Sequence, residues 1–151
     1  MCFPGGKQDP DDLGNDIATA LRETKEEVGL DPSNIVPLCR LGTLETASGF
    51  CVTPIVGHVV HDPPVFDLTS LTLCEQEVEA AFLVPLSLFL EEPTATSWST
   101  TTSRGTLMRT YHYFDPIRQK TFAITGITAY IAHQVAEMAA SASPRRPHNR
   151  L

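Results

Sequence analysis

No apolar run in these 151 residues approaches the roughly 18 that a membrane-spanning helix needs, so a membrane protein is not expected. Positive charge is also scarce. Eleven Lys and Arg stand against 18 Asp and Glu, a formal net charge of -7, and the only basic cluster is Arg145, Arg146 and Arg150 in the tail. Such a chain repels a nucleic-acid backbone, so nucleic-acid binding is not expected as a main activity. The four cysteines, at 2, 39, 51 and 74, form no C-x-x-C pair and have no histidine at zinc-ligand spacing. They are expected to be scattered buried thiols. The first residues show neither a basic start nor an apolar leader, so a disulfide framework is not expected and a soluble protein in a reducing, intracellular compartment is. No internal repeat and no G-x-S-x-G nucleophile context is present.

With 42% apolar and 19% charged residues, the chain is globular and long enough for one core. One domain over 1–142 is expected, followed by a disordered tail over 143–151. Residues 16–30, DIATALRETKEEVGL, are rich in helix formers and end on Gly29 with Pro32 just beyond, which predicts a helix. Segments 35–46 and 49–60 read as a strand pair around Ala47-Ser48-Gly49, and 61–70 as a loop. A short strand is expected at 80–84, then a helical turn after Pro85. The polar stretch 94–105 reads as a loop or mobile hairpin, and 107–115 and 120–126 as paired strands. The pattern of 127–142 predicts a helix with Ile127, Ile131, Val135 and Met138 near one face. Strands mixed with two separated helices give an α/β or α+β layered domain.

The chemistry lies in RETKEEVGL, residues 22–30. At about 100° per residue, Glu23, Glu26 and Glu27 fall within an arc of roughly 100°, while Ile17, Leu21 and Val28 gather on the opposite side. Like charges at i, i+3 and i+4 repel by a few tenths of a kcal/mol per pair, and a hard divalent cation such as Mg²⁺ offsets that repulsion. Arg22 lies beside the cluster and could hold one carboxylate in its binding rotamer. A solvated charged face gives the same spacing, so spacing by itself leaves both readings open. The Phe3-Pro4-Gly5-Gly6 turn before the helix is of the kind that brings backbone close to a ligand.

Taken together, the Pro-Gly-Gly turn, the acidic loop and Arg22-Glu23-x-x-Glu26-Glu27-x-Gly29-Leu30 resemble the box of the Nudix hydrolases, which cleave nucleoside diphosphates linked to another moiety. Every specified position from Arg22 to Leu30 matches except Thr24, where an aliphatic residue is usual. The front half departs: Asp12 stands where a glutamate is usual, and nine residues rather than seven separate it from Arg22. The two extra residues are expected in the loop near Gly14-Asn15, and the acid paired with Arg22 is Asp12 or Asp16. FPGGKQDPDD, TALRETKEEVGL, EVEAAFLVPL and AITGITAYI look like the coenzyme A diphosphatase branch.

The resemblance implies an α/β fold, an α/β/α sandwich with a mixed sheet. It implies metal-dependent hydrolysis of coenzyme A or acyl-coenzyme A, giving 3′,5′-ADP and a 4′-phosphopantetheine species. Glu23, Glu26, Glu27 and the Gly6 carbonyl are implied as ligands of Mg²⁺ or Mn²⁺, and the general base as a box glutamate or Glu77, with Glu75 and Glu79 nearby. In this branch strands precede the Phe-Pro-Gly-Gly turn, so a chain lacking its N-terminal strands is expected here. The final Asn149-Arg150-Leu151 partly matches a peroxisomal address of the Ser-Lys-Leu kind. Two rival readings stay open: a Nudix diphosphatase for another nucleoside diphosphate conjugate, and an inactive truncated product or non-catalytic binding protein.

Overall fold

A computed structural model describes residues 1–46, 48–60, 67–99 and 106–142, with backbone alone at 95–99, 106 and 107. The chain divides into two compact units, residues 2–83 and residue 1 with 84–151. The expectations for 61–66, for 100–105 and for the tail from 143 concern residues outside the described ones. Among the described residues no helix is long and apolar enough to cross a membrane.

In the first unit, helix α1 spans Asp16–Val28. Asn15 starts it by accepting from the Ile17 and Ala18 amides at 3.0 and 3.4 Å, a cap of the kind that contributes about 1 kcal/mol. Gly29 ends it at φ 71°, its amide returning to the Lys25 carbonyl. Strand β1, Ile35–Arg40, pairs antiparallel with β4, Ile55–Val59, and between them β2, Leu44–Glu45, pairs with β3, Cys51–Val52. This is the expected strand pair. A register shift between Pro37 and Cys39 leaves Leu38 as the bulged residue, next to the proline that cannot donate to the ladder.

Among the described residues of 2–83 only Asp12 and Thr19 are buried. Ile17, Leu21 and Val28 are half-buried, and Val36, Leu38, Phe50 and Val52 are exposed. Of the cysteines, expected as buried thiols, Cys2 and Cys51 are exposed and Cys39 and Cys74 half-buried, all four reduced.

The second unit holds the apolar core. Strands β5, Ala95–Ser99, β6, Thr106–Asp115, and β7, Lys120–Ile124, form an antiparallel sheet in that order, and helix α2 spans Gly126–Ala142. Phe89, Tyr111, Ile124, Ala129, Ala132 and Ala136 pack together. The Phe89 and Tyr111 rings meet edge to face at 5.2 Å, an arrangement that adds about 1 kcal/mol to their burial. The Tyr111 hydroxyl donates to the Phe89 carbonyl at 3.2 Å, and His133 Nδ1 lies 2.6 Å from the same oxygen.

Two expectations are corrected here. Residues 80–84 join none of the ladders among the described residues, so they are no strand, while Leu86–Leu90 forms the expected helical turn, as a 3₁₀ helix. Of the two readings of 94–105, the hairpin agrees with strand β5 at Ala95–Ser99, whose pairing with β6 satisfies a Ser/Thr backbone as readily as an apolar one. The buried face of α2 is Thr128, Ala129, Ile131, Ala132 and Ala136, with Ile127 and Val135 half-buried and Met138 exposed, since small alanines allow the closest approach. The α/β class stands, and every ladder among the described residues is antiparallel.

Candidate active site

The loop before α1 is built by its own acids. Asp9 caps the 3₁₀ turn Pro10–Asp12 by accepting from the Asp11 amide at 3.0 Å, and the Asp12 carboxylate accepts from the Asp9 amide at 2.8 Å. The chain then passes through two positive-φ residues, Leu13 at 51° and Gly14 at 75°, before Asn15 opens the helix. The two additional residues are thus taken up in the loop, and the carboxylate face of α1 keeps its spacing.

Asp12 lies 6% exposed beneath that loop and meets Arg22 as a fork: Nε to Oδ1 at 3.2 Å and Nη2 to Oδ2 at 3.0 Å. Thr19 adds a hydroxyl at 2.9 Å. The hydrogen bonds from Arg22 first, then the Asp9 amide and Thr19, hold the Asp12 carboxyl down at about 2. The choice between two acids is therefore settled for Asp12, since Asp16 instead meets Arg40 at 3.1 Å and Gln8 at 2.9 Å. Arg22 turns its other edge on the helix face, where Nη1 reaches Glu23 Oε1 and Glu26 Oε2, both at 2.9 Å. Its Nη2 also donates to the Lys7 carbonyl at 3.0 Å, and the hydrogen bonds to Asp12 first, then to Glu23 and Glu26, push the guanidinium pKa further up.

The Pro-Gly-Gly turn closes over the same face. The Gly5 amide donates to Glu27 Oε1 at 3.1 Å, and a Cβ on Gly6 would run into the Glu23 carboxylate. Gly6 is therefore required by close approach, as the turn suggested. Thr24, the departure from the family pattern, donates to the Ala20 carbonyl one turn back at 2.7 Å, which satisfies a half-buried hydroxyl where an aliphatic side chain is usual.

At the other end of α1 the segment 72–78 docks on the helix stop. The Cys74 amide donates to the Glu27 carbonyl at 2.9 Å, and a Cβ on Gly29 would lie 2.7 Å from the Thr72 carbonyl oxygen. Cys74 in turn accepts from the amides of Glu77 and Val78 at 3.0 and 2.8 Å. Glu75, Glu77 and Glu79 are exposed on this turn. Glu77 thus belongs to the same unit as the box helix, its backbone linked to that of Glu27 by two hydrogen bonds through Cys74.

The donor set along α1, carboxylate oxygens beside the Gly6 backbone, has the hard-oxygen chemistry that Mg²⁺ or Mn²⁺ takes. Among the described residues no three His, Cys, Asp or Glu side chains are gathered as a ready coordination shell. Glu23 and Glu26 are drawn onto Arg22 instead, and Glu26, its side chain 58% exposed, has room to turn outward. His58 is exposed on β4, His112 Nδ1 lies 2.9 Å from the Thr94 hydroxyl, and His61 lies outside the described residues, as does the side chain of Trp98. Sequence reading missed Thr19 and Lys7, whose parts in the site come from a hydroxyl and a carbonyl that carry no motif of their own.

The model of the NUDIX domain matches residues 1–103, more than half of the sequence. The chain belongs to the Nudix family. This Nudix chain is 36% identical over 148 residues to the peroxisomal coenzyme A diphosphatase NUDT7 of Mus musculus, an alignment covering 95% of the chain and 58% of that protein. The uncharacterized Nudix hydrolase NudL of Photorhabdus laumondii subsp. laumondii is 38% identical over 137 residues, 91% of the chain and 67% of NudL. NudL of Yersinia pestis is 43% identical over 86 residues, 57% of the chain and 40% of NudL. The Nudix chain thus spans a little over half the length of the mouse relative.

Proposed function

We propose that the chain carries a metal-dependent diphosphatase that hydrolyses coenzyme A or acyl-coenzyme A to 3′,5′-ADP and (acyl-)4′-phosphopantetheine. The observation that supports it best is the Arg22 fork, which is anchored on Asp12 and Lys7 and gathers Glu23 and Glu26 beside the Gly5-Gly6 turn. The choice of substrate is supported by the likeness to the mouse enzyme along 95% of the chain.

Glu23, Glu26, Glu27 and the Gly6 carbonyl would hold Mg²⁺ or Mn²⁺. Such an ion, when bound, neutralises diphosphate charge and makes water a competent nucleophile at neutral pH. The chain's own part is orientation and proton transfer. Arg22 sets the rotamers of Glu23 and Glu26 and Gly5 pins Glu27 through its amide, while a box glutamate or Glu77 would take the proton of the attacking water. The mouse relative's peroxisomal name supports a peroxisomal location.

One observation favours a second reading, a Nudix-fold protein that binds without turnover: among the described residues no metal shell is ready-made. Assaying the purified chain against coenzyme A and a dinucleotide with Mg²⁺ or Mn²⁺ decides among these. Metal-dependent release of 3′,5′-ADP is the expected result. Cleavage of the dinucleotide alone would replace the substrate, and no turnover of either would leave the binding protein. The double change Glu26→Gln, Glu27→Gln is expected to abolish Mn²⁺ binding measured by electron paramagnetic resonance, and unchanged affinity removes the ligand assignment.

A further inference from the structure

A phenylalanine in reach of the Lys7 ammonium stands with more than half of its surface in solvent. Phe50 is 55% exposed, yet its backbone is held on both sides by one residue: its amide donates to Thr46 Oγ1 at 3.0 Å, and its carbonyl accepts from the Thr46 amide at 2.8 Å. The Gly49 amide adds a bond to the Thr46 carbonyl at 2.9 Å. An aromatic ring on a fixed turn is a preorganised platform rather than a stray apolar residue.

The ring is already matched with a cation. Lys7 Nζ lies 5.4 Å from its centroid, within range of attraction by the electron-rich face. Lys7 is also the residue whose carbonyl accepts from Arg22 Nη2, so platform, ammonium, guanidinium and the Glu23–Glu26 pair follow one another within residues 2–83. Four cations occur there. Arg22 is committed to Asp12, Glu23 and Glu26, Lys25 to Asp31, and Arg40 to Asp16, whereas Lys7 has no carboxylate partner among the described residues. Its charge is the one available to an anion approaching an acidic helix face.

We infer that Phe50 and Lys7 form a nucleoside-phosphate subsite, the ring stacking on a nucleobase and the ammonium turning from the ring to a phosphate of the same nucleotide. A base offers a planar π-face that an exposed ring accepts whatever its sequence identity, and an ammonium on a flexible stem suits a phosphate as a point charge. The inference rests on the diphosphatase reading for its choice of ligand, and its test is independent of turnover.

ADP and inorganic pyrophosphate are titrated calorimetrically into the wild-type chain, with and without Mg²⁺, and into Phe50→Ala, Phe50→Trp and Lys7→Ala. Phe50→Ala is expected to weaken ADP about tenfold, the size of a lost base–aromatic stack, and to leave pyrophosphate unchanged. Phe50→Trp restores ADP binding, and Lys7→Ala weakens both ligands. Equal ADP affinity in wild type and Phe50→Ala, or no ADP binding to wild type in either condition, overturns the inference. Mn²⁺ binding read by electron paramagnetic resonance separates the two readings. A Glu26→Gln, Glu27→Gln chain that still binds Mn²⁺ removes the metal assignment alone, and a Phe50→Ala chain with unaltered Mn²⁺ and ADP binding removes the subsite alone.

Discussion

Asp12 Oδ2 lies 3.0 Å from Arg22 Nη2 and 2.9 Å from the Thr19 hydroxyl, so one carboxylate ties the loop before α1 to two successive turns of the helix. With the far edge of its guanidinium held by this anchor and by the Lys7 carbonyl, Arg22 turns Nη1 onto Glu23 and Glu26. Replacing Asp12 by Asn removes the charge and one acceptor of the fork. We expect Asp12→Asn to lower Mn²⁺ affinity by about 10- to 100-fold, the effect usual for partners that orient ligands, with the circular dichroism of the folded chain preserved. Equal Mn²⁺ affinity in the two proteins would show that the anchor does not orient the carboxylates.

The same carboxyl predicts an acid response. Its folded value, about 2, lies below the ordinary 3.8, so the native state binds that proton less readily than the unfolded chain does. The stabilisation is present in full above about pH 4 and is lost as pH falls toward 2. Asp31 and Asp115, also lowered, contribute in the same direction, chiefly through hydrogen bonds from Ser33 and Arg118 respectively. In an acid titration followed by far-ultraviolet circular dichroism, Asp12→Asn should show a shallower loss below pH 4 than wild type. Superimposable curves would rule out the contribution.

Gly6→Ala tests the turn. The added methyl meets the Glu23 carboxylate, which must swing away from both the turn and Arg22. The collision is with the end of a flexible side chain, so we expect the fold to survive and Mn²⁺ affinity to fall. A variant that binds Mn²⁺ as wild type does would mean that the Glu23 rotamer beside Gly6 is immaterial to the site.

Gly29→Ala tests the docking of the Glu77 turn. The residue sits at φ 71° with the Thr72 backbone against it, so alanine meets left-handed strain and a backbone collision together. The strain alone costs more than about 1 kcal/mol, and the collision breaks the approach that carries the Cys74 amide to Glu27. Urea unfolding should show the loss, and hydrogen exchange should show the Cys74 amide deprotected. If Cys74 stays as protected as in wild type, segment 72–78 does not depend on this glycine.

What was legible in the sequence is what depends on near neighbours. Helix α1 was readable to within two residues because its periodicity and its Gly29 stop are local, and the Glu23, Glu26, Glu27 face follows from that helix. The partner of Arg22 was not, since the path from Asp12 to the helix passes through Leu13 at positive φ, a conformation that leucine does not advertise. The 80–84 segment has strand composition but joins no ladder among the described residues, and the polar β5 segment joins one, so partners and not propensity decided both. The face of α2 was misread because alanines carry little hydropathy yet permit the tightest packing.

Residues 2–83 have a carboxylate and a hydroxyl as their only buried side chains among those described. Heat-capacity increments and denaturant slopes grow with the apolar surface that opening releases, and here little is released. That part of the chain is accordingly expected to loosen over a broad span of urea, its order residing largely in oriented bonds that water competes for directly.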